Sequence, residues 1–159
     1  MISIVMVCTG NTCRSPMAEA MLRVRLAERG VEGAEVRSAG LHAFEGAPIS
    51  GGAQAELEKR GIPFAPAGAV PLMRSHTEGA LILCMTGAQL RELKRRFPAA
   101  RATTLNLAAG LSGDIADPFG GRGAAYRRAA EQIERAVMRL ADRIANNDTI
   151  EEGCEGHGL

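Results

Sequence analysis

The chain has 159 residues, enough for one ordinary domain with a real core and no need of disulfides or a structural metal. Nineteen basic against 18 acidic residues leave a net charge of +1, which supplies no charge-based reason to expect a nucleic-acid or membrane-surface partner. Aromatic residues make up only 3% and tryptophan is absent, so base-stacking platforms are poorly supported and the core must be mostly Ala, Leu, Ile, Val and Met.

The opening MISIVMV has no basic n-region and is far too short for a membrane span or a signal peptide. Residues 2–7 therefore predict a strand covered on both faces, as in a parallel sheet. After the loop VCTGNTCRSP, Ser15-Pro16 predicts an N-cap followed by proline at the first helical position. Ala18, Met21, Leu22 and Leu26 mark the apolar face of that helix, and Gly30 closes it. A short strand follows near 35–38, then a helix over 52–60 stopped by Gly61. Residues 62–79 form a Pro- and Gly-containing connection with room for a short helix. A strand at 80–85, a helix at 88–97 stopped by Pro98 and a strand at 102–107 complete the alternation. The last helix is the clearest, with Tyr126, Ala130, Ile133, Val137, Leu140 and Ile144 at helical spacing. These elements define one domain over residues 1–145; the polar segment 146–159 reads as a mobile tail.

Alternating strands and helices call for an α/β fold, and such sheets bind ligands at the carboxyl ends of their strands. Cys8 falls there, at the end of the first strand. Gly10 and Asn11 both tolerate positive φ, so the loop can curl with its N–H groups pointing inward as an anion nest, reinforced by the following helix terminus. Those groups would also stabilise a thiolate at Cys8. Arg14, in the spacing Cys-x5-Arg, can hold two equatorial oxygens of a phosphoryl group while the thiolate attacks phosphorus. A proton donor for the leaving group must come from another loop. Asp117, stiffened by Pro118 and followed by Phe119 as a pocket wall, is preferred; Asp114 is its competitor.

In this order and at these separations, VCTGNTCRSPMAEA, RSAG and DPFGG resemble the low-molecular-weight protein-tyrosine-phosphatase superfamily over residues 1–145. The resemblance implies a three-layer α/β/α, flavodoxin-like fold with a four-stranded parallel sheet in the order 2-1-3-4. It further implies a metal-free and cofactor-free mechanism through a cysteinyl-phosphate, with Cys8 as nucleophile, Arg14 as phosphate clamp and Asp117 as general acid and then base. Thr9, Gly10, Asn11, Thr12, Cys13, Arg14, Ser15 and Phe119 would meet phosphate or substrate. By the same resemblance Ser15 donates to the Cys8 sulfur, and Asn11 holds the loop with help from Ser38.

Within the superfamily the chain looks most like the bacterial protein-arginine phosphatases. Tyrosine-specific members usually carry an apolar residue where this chain has Thr12, and an aromatic pair where it has Phe119-Gly120. A phosphoguanidinium wants hydrogen-bond partners and a carboxylate, and Thr12 and Asp117 supply both; a phosphotyrosine ring wants aromatic walls, and Gly120 removes one. The expected pocket is polar and thin-walled, and the expected substrate is a phosphorylated protein with phosphate as product. A tyrosine phosphatase of the same fold is the runner-up. An arsenate reductase would need two further neighbouring cysteines after the third strand, where Cys84 stands alone. A phosphate-sensing or redox-switch module would fit only if Cys8 or Asp117 were missing.

Cys8, Cys13, Cys84 and Cys154 form no CxxC pair and no regular spacing, which argues against both a zinc site and a disulfide framework. A cytoplasmic monomer with reduced thiols is expected. Cys13 is open to two readings, simple packing or a reversible disulfide with Cys8. Cys84 reads as core, Tyr126 as core, and His42, His76 and His157 as surface or loop residues without partners at ligand spacing.

Overall fold

The structure, a computed structural model, describes residues 2–152; Cys154 and His157 lie outside the described residues. Four strands, β1 (Ile2–Cys8), β2 (Ala34–Gly40), β3 (Leu81–Cys84) and β4 (Arg101–Thr104), form one sheet in the order β2-β1-β3-β4. Every pairing is parallel, with Cys8 opposite Gly40 and Val7 opposite Cys84. This is the expected three-layer α/β/α arrangement. The side chains of β1 alternate between two cores: Ile4, Met6 and Cys8 face one, Val5 and Val7 the other. On the first side lie α1 (Arg14–Glu28), α2 (Gly51–Lys59) and α6 (Gly123–Ala145), which bring Met21, Leu57, Ile133 and Val137 onto the sheet. On the second, α4 (Gly87–Arg96) contributes Leu93.

Local signals account for most boundaries. Gly30 and Gly61 take positive φ and end α1 and α2, with Val31 N–H donating to the Leu26 carbonyl and Ile62 N–H to that of Leu57. A capping box of Thr86 and Gln89 starts α4. The connection 62–79 contains one short helix, α3 (Arg74–Thr77). Glu134 on α6 accepts from Arg25 of α1 at 2.7 Å and from Arg60 at the end of α2, tying the three helices together.

Two expectations are corrected. The strand placed at 102–107 stops at Thr104, whose side chain accepts from Leu107 N–H and starts α5 (Leu105–Ala108). Ser15 is not the N-cap of α1; Cys13 occupies that position without a side-chain cap bond, and Ser15 and Pro16 lie inside the first turn. Proline is tolerated there because the first N–H groups of a helix have no intrahelical partner. The described part of the segment after α6 also makes contacts, as far as Glu152. Arg143 donates to the Thr149 carbonyl at 2.9 Å, Ile150 packs on the core and Arg101 meets Glu152 at 2.8 Å. Among the described residues, no helix is long and apolar enough to cross a membrane.

Candidate active site

The loop between β1 and α1 closes on itself through Asn11, which adopts φ +55°. Its side-chain amide donates to Ser15 Oγ at 2.8 Å and to Ser38 Oγ at 3.0 Å, and its carbonyl oxygen accepts from Val70 N–H at 2.9 Å. Ser15 Oγ in turn lies 2.9 Å from Cys8 Sγ. A buried polar chain therefore runs from Ser38 through Asn11 and Ser15 to the cysteine. With no side chain capping α1, the first-turn N–H groups are left free of side-chain partners, as an anion site requires.

Neighbouring loops brace the other side. Leu41 N–H and His42 N–H donate to the carbonyls of Cys8 and Thr9 at 3.0 and 2.9 Å. Gly40 is required for this approach, since a Cβ there would stand 2.7 Å from the Thr9 carbonyl oxygen. Gln89 donates to Thr9 Oγ1 at 3.2 Å while its carbonyl accepts from Met85 and Thr86 N–H. Neither Gly40 nor Gln89 was expected at the site, although the spacing Thr86-x-x-Gln89 is readable as a capping box and Gly40 ends the motif RSAG.

Arg14 is buried, donates through Nη1 to the Ile115 carbonyl at 3.0 Å and places Nη2 3.5 Å from Asp117 Oδ2. Asp117 also accepts from Phe119 N–H at 3.0 Å, which shapes the loop that carries it. Asp114 is engaged elsewhere, accepting from Gly87 N–H at 2.9 Å. The structure thus brings Cys8, Arg14 and Asp117 together and sets Asp114 apart. They border a cavity of about 400 Å³ whose wall includes Thr12, His42, Phe44 and Phe119.

The mouth of this cavity corrects the expectation of a polar, thin-walled pocket. Phe119 is 82% exposed and Phe44, which no sequence pattern singled out, is 85% exposed. Loss of one aromatic at Gly120 is therefore accompanied by an aromatic from the loop after β2. His42 is also at this mouth, exposed and 2.7 Å from Glu92 of α4.

Cys13 is buried and its thiol is free. It donates to Ser50 Oγ at 3.2 Å and lies 3.7 Å from both Thr12 Oγ1 and Tyr126 Oη. Tyr126 is half-buried: it packs against the core, and its hydroxyl joins this contact. Burial pushes its phenol above the ordinary value, Ser50 opposes the rise, and Cys13 and Asp117 add to it. Cys84 is fully buried, and burial first, then the neighbouring Cys8, push its thiol up to about 12, so it stays protonated and inert.

A thiol on the floor of an anion-binding loop, faced by a guanidinium and a carboxylate from another loop, is the equipment of a cysteine-dependent phosphatase. The chain belongs to the low molecular weight phosphotyrosine protein phosphatase family, whose model matches residues 3–150. It is 41% identical over 145 residues to the protein-arginine-phosphatase of Geobacillus stearothermophilus, covering 89% of this chain and 95% of the relative. It is 38% identical over 143 residues to the probable low molecular weight protein-tyrosine-phosphatase EpsP of Ralstonia nicotianae, with the same coverage of each chain. Among solved structures, a YwlE arginine phosphatase mutant bearing a phosphorylated active-site serine superposes with a TM-score of 0.85 at 33% identity, covering 94% of this chain and 100% of that one. The family implies a phosphorylated protein as substrate and phosphate as product.

Proposed function

We propose that this phosphatase hydrolyses phosphoarginine in cytoplasmic proteins, with Cys8 as nucleophile. The observation that supports the reading best is that Thr12 and the exposed Asp117 carboxylate line the same cavity as Cys8 and Arg14. Both can meet the N–H edge of a phosphoguanidinium. The likeness to a protein-arginine-phosphatase points the same way.

In the first step the Cys8 thiolate, with Ser15 Oγ donating to its sulfur, attacks phosphorus. An S–P bond forms, the P–N bond breaks, and Asp117 passes its proton to the departing guanidine nitrogen. Arg14 and the N–H groups of residues 9–15 hold the equatorial oxygens as charge builds on them. In the second step Asp117 takes a proton from water, whose oxygen attacks phosphorus and breaks the S–P bond, releasing phosphate and the Cys8 thiolate. Asn11, Ser15 and Ser38 keep the loop curled throughout. Cys13, on the same loop with a free thiol, is the candidate partner of Cys8 in a reversible disulfide.

The second reading, a tyrosine phosphatase, is favoured by the two phenylalanines at the mouth, which would flank an aryl ring. Side-by-side kcat/KM values for phosphoarginine and phosphotyrosine peptides decide between them. The expected result is a preference for phosphoarginine that Thr12→Ile shifts toward phosphotyrosine. A native enzyme that prefers phosphotyrosine makes the second reading correct, and a ratio unmoved by Thr12→Ile removes Thr12 as the selector.

A further inference from the structure

We propose that Ser50 and Tyr126 are positioning residues that act through Cys13 to fix the Thr12 hydroxyl as a hydrogen-bond acceptor toward the leaving group, so that an N–H-bearing phosphoguanidinium is selected. The inference rests on the reading that Thr12 faces the leaving group. It starts from counting hydrogens. A cysteine thiol has one proton, and that of Cys13 goes to Ser50 Oγ at 3.2 Å. In its contacts with the two other hydroxyls within reach, Thr12 Oγ1 and Tyr126 Oη, each 3.7 Å away, the sulfur is then left only the role of acceptor. With its only proton turned to sulfur, Thr12 presents lone pairs to the cavity it lines.

A guanidinium carries donors and no acceptor, whereas the bridging oxygen of a phosphoaryl ester carries no proton at all. A fixed acceptor therefore discriminates between the two leaving groups, while a freely turning hydroxyl would serve either.

The surrounding construction keeps Cys13 in this state. Ser50 caps α2 by accepting from Ala53 N–H, and its own N–H donates to the Thr12 carbonyl at 2.9 Å, so the same residue holds the backbone of Thr12 and the thiol of Cys13. Tyr126 reaches the sulfur from the first turn of α6 by laying its ring on Gly52. A Cβ at that position would stand 2.4 Å from the ring. Glycine inside a helix is unfavourable, and the space it leaves here is taken up by the tyrosine.

The test measures kcat/KM for a phosphoarginine peptide and a phosphotyrosine peptide on the full chain. Ser50→Ala frees the Cys13 proton to point at Thr12. It is expected to lower the phosphoarginine value about fivefold, the scale of one neutral hydrogen bond, and to leave the phosphotyrosine value within about twofold. Tyr126→Phe keeps the ring on Gly52 and is expected to act in the same direction but less. Ser50→Thr, which retains both the cap and the acceptor, is expected to restore the native ratio. In a Thr12→Val background, Ser50→Ala is expected to leave the ratio where Thr12→Val put it. The inference is overturned if Ser50→Ala depresses both substrates alike, as a purely structural cap would, if neither variant moves the ratio, or if the Ser50→Ala effect persists without the Thr12 hydroxyl. A native enzyme without phosphoarginine activity overturns the substrate reading itself, an outcome visible before any variant is made.

Discussion

The floor and the mouth of the cavity are built on opposite plans. On the floor, Cys8, Asn11, Arg14 and Ser15 are all at most 5% exposed and each has a polar partner among its neighbours. At the mouth, Phe44 and Phe119 stand more than four-fifths exposed and Asp117 is 59% exposed. The difference separates two tasks. Groups that stabilise a transition state must be oriented before the substrate arrives, because reorganising them during the reaction would forfeit the stabilisation. Groups that meet the variable part of a protein substrate need only present surface.

The comparison is sharpest where the floor is broken. Cys8→Ser keeps the size and a hydroxyl partner for Ser15 but replaces a thiolate by a far poorer nucleophile, and kcat should fall by about 10⁴-fold or more. Phosphate should still bind to the N–H groups and Arg14; a titration by NMR or calorimetry checks this, and near-native turnover would sink the assignment. Asn11→Ala comes next. It removes three side-chain hydrogen bonds and forces alanine to φ +55°, so unfolding free energy should drop by about 2–4 kcal/mol and kcat by about tenfold or more. Asn11→Gly relieves the backbone alone and should recover part of the stability but little of the activity. At the mouth, Phe44→Ala and Phe119→Ala should change stability by no more than about 0.5 kcal/mol, as exposed substitutions do. Their effect should appear as a few-fold rise in KM for peptide substrates with kcat retained. A large loss of kcat from either would mean that the mouth is also part of the catalytic framework.

The same division explains what could be read from the sequence. The alternation of elements, the strand order carried by the family likeness and the grouping of Cys8, Arg14 and Asp117 were all legible, because periodicity and a short local motif record them. The preference for Asp117 over Asp114 is consistent with Asp114 being occupied by Gly87 N–H. Ser15 does not cap the helix, although serine before proline has that local signature; its hydroxyl turns to the thiol, the contact that the family likeness implies and the local signature does not. β4 was drawn too long because Leu105 and Leu107 continue an apolar run, while Thr104 ends the strand by capping the next helix. Phe44, Gln89 and Ser50 were missed for a common reason. They reach the site from outside the loop between β1 and α1, Phe44 and Ser50 from the connection between β2 and α2 and Gln89 from α4, with Ser50 37 residues from Cys13 and Gln89 80 from Thr9, and such contacts leave no period in the chain.

The smallest expected effect lies just behind the floor. Glu19 on α1 is half-buried beside a cavity of about 160 Å³, 3.2 Å from Arg23 Nη2, and accepts from Ser38 Oγ at 3.4 Å. Burial raises its pKa above the ordinary carboxylate range, with Arg23 and then Ser38 opposing. The folded chain therefore holds this proton more tightly than the unfolded chain. Its contribution to stability is full below the unfolded pKa and is lost as pH rises through the folded one, so at neutral pH the charged carboxylate is a cost. Glu19→Gln removes that cost and keeps a carbonyl to accept from Ser38. Relative to the native chain, the variant should gain in thermal stability on going from pH 4 to pH 7, and a difference in Tm that is flat or reversed between the two would refute the sign. Because the bonds from Ser38 through Asn11 and Ser15 to Cys8 are untouched, kcat should stay within about twofold, the size expected when no hydrogen bond of the floor is lost.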